Sequence, residues 1–259
     1  MALSSLHIAY LRPAISDRYL ILAAQHQGLA FPLIRSALTG VDEDNCHAIY
    51  AFSQVITIYA IAIPQEPESQ AGSSGIGTGL GFVPLLRSTF SMCDFALEWL
   101  SVGPFSSCLE KSPNLDDAPE FSQNPDDGKY ARLLPFLRDN GSKDAHTCCK
   151  ALNSLRGLLA IATAPNQSID LKTLIFSWPA QVPQRYIFLI FKKNPGALVV
   201  MAHYCVMLNM IGSFWFMKGR AARLLEHCRN NLSDEWVHHV DWPLSIVGLP
   251  QDKQSMITI

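Results

Sequence analysis

His203, Met207, Met210 and Phe214 follow one another at spacings of four, three and four, which puts them on one face of a helix. Two thioethers and an aromatic ring adapt to a rigid apolar ligand, and an imidazole supplies a polar anchor. With Tyr204 and Trp215 beside it, that face reads as one wall of a small-molecule pocket. Core packing around a hydrogen-bonded histidine uses the same spacing, so periodicity alone does not separate the two readings.

The other chemistry-bearing groups are sparser. His238-His239 and Asp241-Trp242 bring imidazoles and a carboxylate together near the C-terminus, a pairing suited to acid–base work. No nucleophile motif accompanies them, and a helix-capping Asp with solvent-facing histidines accounts for the same residues. Cys148-Cys149 are adjacent, which disfavours a relaxed disulfide, and one of them falls on a buried helical stripe. The seven cysteines contain no C-x-x-C pair and read as reduced structural thiols, with no metal site. Glycines between Gly72 and Gly81 lack the preceding strand and following lysine of a phosphate loop. Lys192-Lys193 and Arg220, Arg223 and Arg229 read as a solvated face. A catalytic residue is therefore not assigned, and no cofactor is implied.

The central element is the run 195–217, which holds no Asp, Glu, Lys or Arg. At about 22 residues from Gly196 it is long enough to span a bilayer. His203, Asn209 and Ser213 interrupt it, however, and basic residues flank both ends, so nothing sets an orientation. It is read as a helix buried on every side, opened by Pro195, with no membrane span. Hydrophobic residues make up 49% of the chain and charged residues only 16%, which implies a large interior or a greasy partner surface. A net charge of −2 and the lack of a basic cluster argue against nucleic-acid binding.

Around this run the pattern is helical throughout. Helices are expected over Met1–Leu11, from a Ser16/Asp17 cap through Leu38 with a bend at Pro32, and from an Asp42 cap to Ile63. Further helices are expected from Val83-Pro84 to Leu100, after an Asp144 cap, near 168–177 and 184–193, over 219–232, and around Trp236–Gly248. In the helix after Asp144, Cys148, Leu152, Leu155, Leu159 and Ala162 mark the inward stripe. Two flexible loops are expected, about 64–82 and 103–128. The expected fold is all-α: residues 1–259 as a single helical bundle around a buried central helix, with two long loops.

The segment Pro195 to Gly248 resembles the C-terminal part of fungal zinc-binuclear-cluster transcription factors, in particular the sterol-uptake control regulators. The matching residues are Gly196-Ala197-Leu198-Val199-Val200, Ala202-His203-Tyr204, Phe214-Trp215, Leu224-Leu225, Trp236 and Asp241-Trp242-Pro243. Ala2-Leu3-Ser4-Ser5-Leu6-His7-Ile8-Ala9-Tyr10, Tyr19-Leu20, His26-Gln27, Asn45-Cys46-His47-Ala48 and Phe52-Ser53 resemble the start of the same regulatory domain. That resemblance implies an all-α ligand-sensing module taking a sterol, lipid or terpenoid-like metabolite, with His203, Tyr204, Met207, Met210, Phe214 and Trp215 as the ligand-binding segment. The six-cysteine DNA-binding cluster of that family is not in this chain, and Met1 falls inside what reads as a helix of the domain. The expected role is regulation of metabolic or biosynthetic-cluster genes through other regulatory proteins, in the nucleus or cytoplasm, without direct nucleic-acid contact and with a homodimer as one assembly. The alternative is a cofactor-free cyclase or isomerase that folds a terpenoid or polyketide chain in the same apolar pocket.

Overall fold

In a computed structural model, residues 1–64, 80–106, 109, 115, 124–139, 143–164 and 169–248 are described. Every regular element among them is a helix, so the chain is all-α. Most of the expected loops 64–82 and 103–128 lies outside the described residues. Contacts cluster into two compact units, Met1–Asp117 with Asn166–Gln181, and Ala118–Pro165 with Val182–Ile259.

In the first unit, α1 (Ala2–Leu11) turns back through a 3-10 helix (Pro13–Ile15) onto α2 (Ser16–Ala37), which continues through Pro32. The Ser16/Asp17 cap is not formed. α2 runs on directly from the 3-10 turn, so Ser16 is already its first residue, Ile15 holds the N-cap position and no side chain caps it. The Asp42 expectation fares differently. Its carboxylate accepts from the amides of Asp44 (3.1 Å) and Asn45 (3.0 Å), and its carbonyl accepts from Cys46, which opens α3 (Cys46–Ala62).

α4 (Phe82–Phe95) and α5 (Leu97–Leu100) follow as two pieces where one helix was expected. Thr57 and Thr89 share a buried hydroxyl–hydroxyl contact of 3.1 Å between α3 and α4. Arg87 donates to the carbonyls of Pro179 and Ala180 in α9 (Leu171–Gln181), where a cation complements the helix C-terminus. Cys46, Tyr50, Ala96 and Leu100 form a small core flanked by Trp99 and Phe105.

The second unit contains α6 (Asp127–Ala131), α7 (Leu133–Asp139), α8 (Ala145–Ala162), α10 (Gln184–Phe191), α11 (Pro195–Met210), α12 (Arg220–Asn230), α13 (Asp234–Val237), a 3-10 turn (His238–Val240) and α14 (Asp241–Val247). On α8, Cys148, Leu152, Leu155 and Leu159 are buried along the expected stripe, while Ala162 is half-buried. Asp144 stands at the N-cap position of α8 without capping it. Its carboxylate instead binds the Arg185 guanidinium at 2.9 and 3.2 Å, because a two-pronged charged pair outcompetes a single amide. Asp127 and Arg156 form a second, largely buried two-pronged pair at 2.6 and 2.7 Å.

The central helix is shorter than the uncharged run. Asn194 caps it by accepting from the Ala197 amide (3.2 Å), with Pro195 at the first position. It ends at Met210, where Ile211 and Gly212 donate to the carbonyls of Leu208 and Asn209, three residues back. Gly212 sits so close that an added Cβ would lie 3.0 Å from the Asn209 carbonyl. A 16-residue helix is about 24 Å long, short of the roughly 30 Å of a bilayer core. No helix among the described residues is long and apolar enough to cross a membrane. Twelve of the 16 residues of α11 are buried, and α8, α10, α12 and α14 pack around it.

Candidate functional site

His203 lies in the middle of α11 and is 2% exposed. Its Nδ1 is 2.9 Å from the Val199 carbonyl one turn earlier, so the Nδ1–H tautomer donates along the helix. Burial lowers its pKa to about 4, against the opposing effect of the Val199 hydrogen bond, so the ring is neutral at physiological pH. Two rings from other helices stand against it. Tyr130 of α6 has its centroid 5.5 Å away and Trp242 of α14 is at 5.6 Å, with 5.2 Å between the two. All three pairs fall within the range of favourable aromatic contacts.

Tyr130 is fully buried, and its hydroxyl makes no hydrogen bond among the described residues. Burial, with Asp126 and Asp127 adding to it, raises its pKa, so the phenol keeps its proton. Next to this trio, His239 lies tilted by 34° against Phe136 with centroids 3.7 Å apart, and Trp236 meets the Phe136 ring edge-on at 4.6 Å. Burial first, then His238, lowers the His239 pKa. The second unit therefore gathers an aromatic cluster in which His203 and the unmatched Tyr130 phenol are buried, while Trp242, Phe136, Trp236 and His239 are half-buried.

The structure divides the six sequence-derived ligand-binding residues. His203, Tyr204 and Met207 are buried together in α11. Met210, the last residue of that helix, is 44% exposed, and Phe214 is 40% exposed and stacked on Phe216. Trp215 is half-buried and edge-on to Phe216. The shared face assumed a helix continuing beyond Met210; the turn at Gly212 takes Phe214 and Trp215 off its axis. Tyr130 and Trp242 take up the positions against His203 instead. Trp242 belongs to a motif noted in the sequence, but Tyr130 lies on a five-residue helix, too short for any periodicity to reveal.

The remaining groups do not assemble into a reactive centre. His238 and Asp241 are both exposed, and Asp241 makes no side-chain cap. Arg220, expected on a solvated face, is buried, and burial lowers its pKa to about 10. Cys46, Cys148, Cys149, Cys205 and Cys228 are buried free thiols, while Cys93 is half-buried. Burial pushes Cys148 up to about 12 and raises Cys205 and Cys228, which makes these thiols poor nucleophiles. Cys108 lies outside the described residues. No group of three or more His, Cys, Asp or Glu among the described residues is arranged to hold a metal ion. A groove of about 460 Å³ lies in the first unit, along α2, lined by Gly28, Phe31, Pro32, Arg35, Ser36 and Thr39. No protein family, curated protein sequence or solved structure matches the chain.

Proposed function

We propose that this chain is a regulatory module whose α11-centred unit takes up a hydrophobic small molecule bearing one uncharged polar group. A sterol, lipid or terpenoid-like metabolite with a hydroxyl or carbonyl fits that description. The observation that carries the reading is the Tyr130 hydroxyl, buried without a hydrogen-bond partner among the described residues beside a neutral His203. A buried donor left unmatched costs about 1–3 kcal/mol, and a ligand hydroxyl or carbonyl would recover that. Met207 and Tyr204 on the same helix supply adaptable and aromatic surface. The regulatory role, acting on metabolic or biosynthetic-cluster genes through other proteins, rests on the resemblance of Pro195–Gly248 and the N-terminal motifs to sterol-responsive transcription factors.

Binding of a fluorescent sterol, followed by tryptophan quenching, tests the site. Tyr130→Phe should weaken a hydroxylated ligand roughly 10-fold, the worth of one hydrogen bond, and leave its deoxy analogue unchanged. Met207→Trp should abolish binding while far-UV circular dichroism is preserved. Equal affinity of wild type and Tyr130→Phe for the hydroxylated ligand removes this cluster from the site. If no sterol, fatty acid or terpenoid binds up to its solubility limit, the proposed function fails.

A further inference from the structure

α2 is a 22-residue helix of which only Ala23 and Gln27 are buried. Several large apolar side chains on it are exposed: Ile21 is 61% exposed, Leu29 73%, Phe31 48% and Leu33 75%, with Leu38 just past its end at 56%. Ile21 and Phe31 share one face of α2, and Leu29 and Leu33 lie on another. The α2 groove lies among these residues, with Phe31 as one of its walls.

Six exposed residues of α2 form a seam. Asp17, Ile21, Ala24, Gly28, Phe31 and Arg35 succeed one another at intervals of four, three, four, three and four. That is the repeat which holds one helix face against another helix. The seam reads the same from either end about His26, as charged, large apolar, small, small, large apolar, charged. Only the charge changes sign, from Asp17 in the first turn to Arg35 in the last. An antiparallel second copy of α2 therefore sets Asp17 against Arg35, Ile21 against Phe31, and Ala24 against Gly28, each pairing occurring twice. Such self-complementarity is what a two-fold interface requires.

We propose that the chain forms a homodimer through α2, the two helices lying antiparallel and approaching most closely at Ala24 and Gly28. The small residues let the backbones come together, the flanking apolar side chains lose water, and the terminal charges set the direction. Nothing lies within 4 Å of a Cβ built at Gly28, so the isolated chain tolerates bulk there and only a partner would meet it. The proposal is independent of the ligand reading.

Sedimentation velocity of the full chain tests it. At concentrations from about 1 to 100 µM, the range of ordinary specific association, the mass should rise to twice 28.7 kDa. Gly28→Glu should raise the dimer dissociation constant at least 10-fold with unchanged far-UV circular dichroism. Asp17→Arg and Arg35→Asp each place like charges at both ends and should each weaken the dimer about 10-fold. Mixing these two variants should restore it, because every end contact then joins opposite charges. A 28.7 kDa monomer throughout overturns the proposal. So does a dimer indifferent to Gly28→Glu and both charge reversals, which would use another face. A monomer that instead co-sediments with phosphatidylcholine vesicles assigns the apolar face to lipid and also overturns it.

Discussion

The buried His203 makes acid sensitivity a quantitative consequence of the fold. Burial brings its pKa from 6.5 down to about 4, with the Val199 hydrogen bond opposing and His239 adding to the decrease. In the unfolded chain the imidazole takes up a proton near pH 6.5, whereas in the folded chain it resists until about pH 4. Between those values the unfolded state binds more protons, so stability rises with pH. The contribution of the neutral ring is complete above pH 6.5 and is lost as the pH falls toward 4. That separation corresponds to about 3 kcal/mol over the window, or roughly 1.4 kcal/mol per pH unit. The proper comparison is His203→Asn, whose side-chain amide can still donate to the Val199 carbonyl but does not titrate. Urea unfolding of both proteins at steps between about pH 7 and pH 4, followed by tryptophan fluorescence, gives two stability curves. The wild-type curve should fall about 3 kcal/mol further than that of the variant, which carries the shared contribution of the carboxylates and other histidines. Parallel curves would refute the claim that His203 is held neutral by burial.

Two other expectations concern the framework. Asp127→Asn breaks a two-pronged pair whose side chains are only 12–13% exposed and leaves the Arg156 charge poorly compensated. It should lower stability by about 2–4 kcal/mol in urea unfolding, with part of the loss recovered when Arg156 is also replaced by Met. Gly103 has a φ of +147°, and a Cβ there would lie 2.8 Å from the His47 ring, which stacks on Phe105. Gly103→Ala should therefore destabilise the first unit by about 2 kcal/mol, measured as a reduced unfolding midpoint.

How far the sequence was legible depended on element length. α8 and α11 carry enough turns for their apolar spacing to be read, and Cys148, Leu152, Leu155 and Leu159 of the one and His203 and Met207 of the other are buried where that spacing put them, while Ala162 and Met210 at the helix ends are not. α6 and α13 span five and four residues, and no period can be recognised in so few. Caps were legible only where nothing competed. Asp42 accepts from the amides of Asp44 and Asn45, whereas Asp144, with the same carboxylate, is taken by Arg185 from 41 positions away. The candidate site follows the same rule: His203, Tyr204 and Met207 share a helix and were found together, but Tyr130 and Trp242 reach His203 from α6 and α14.

Low charge and the helical spacing of apolar residues determined by themselves that the chain is all-α and that an uncharged helix lies at its interior, because burial of apolar surface depends on local pattern. Tertiary structure decided where that helix stops, which rings meet its histidine and which carboxylates pair. The ring cluster and the ion pairs depend on close approach between residues far apart in the chain, as with Tyr130 against His203 and Asp144 against Arg185. One-dimensional spacing does not encode such distances.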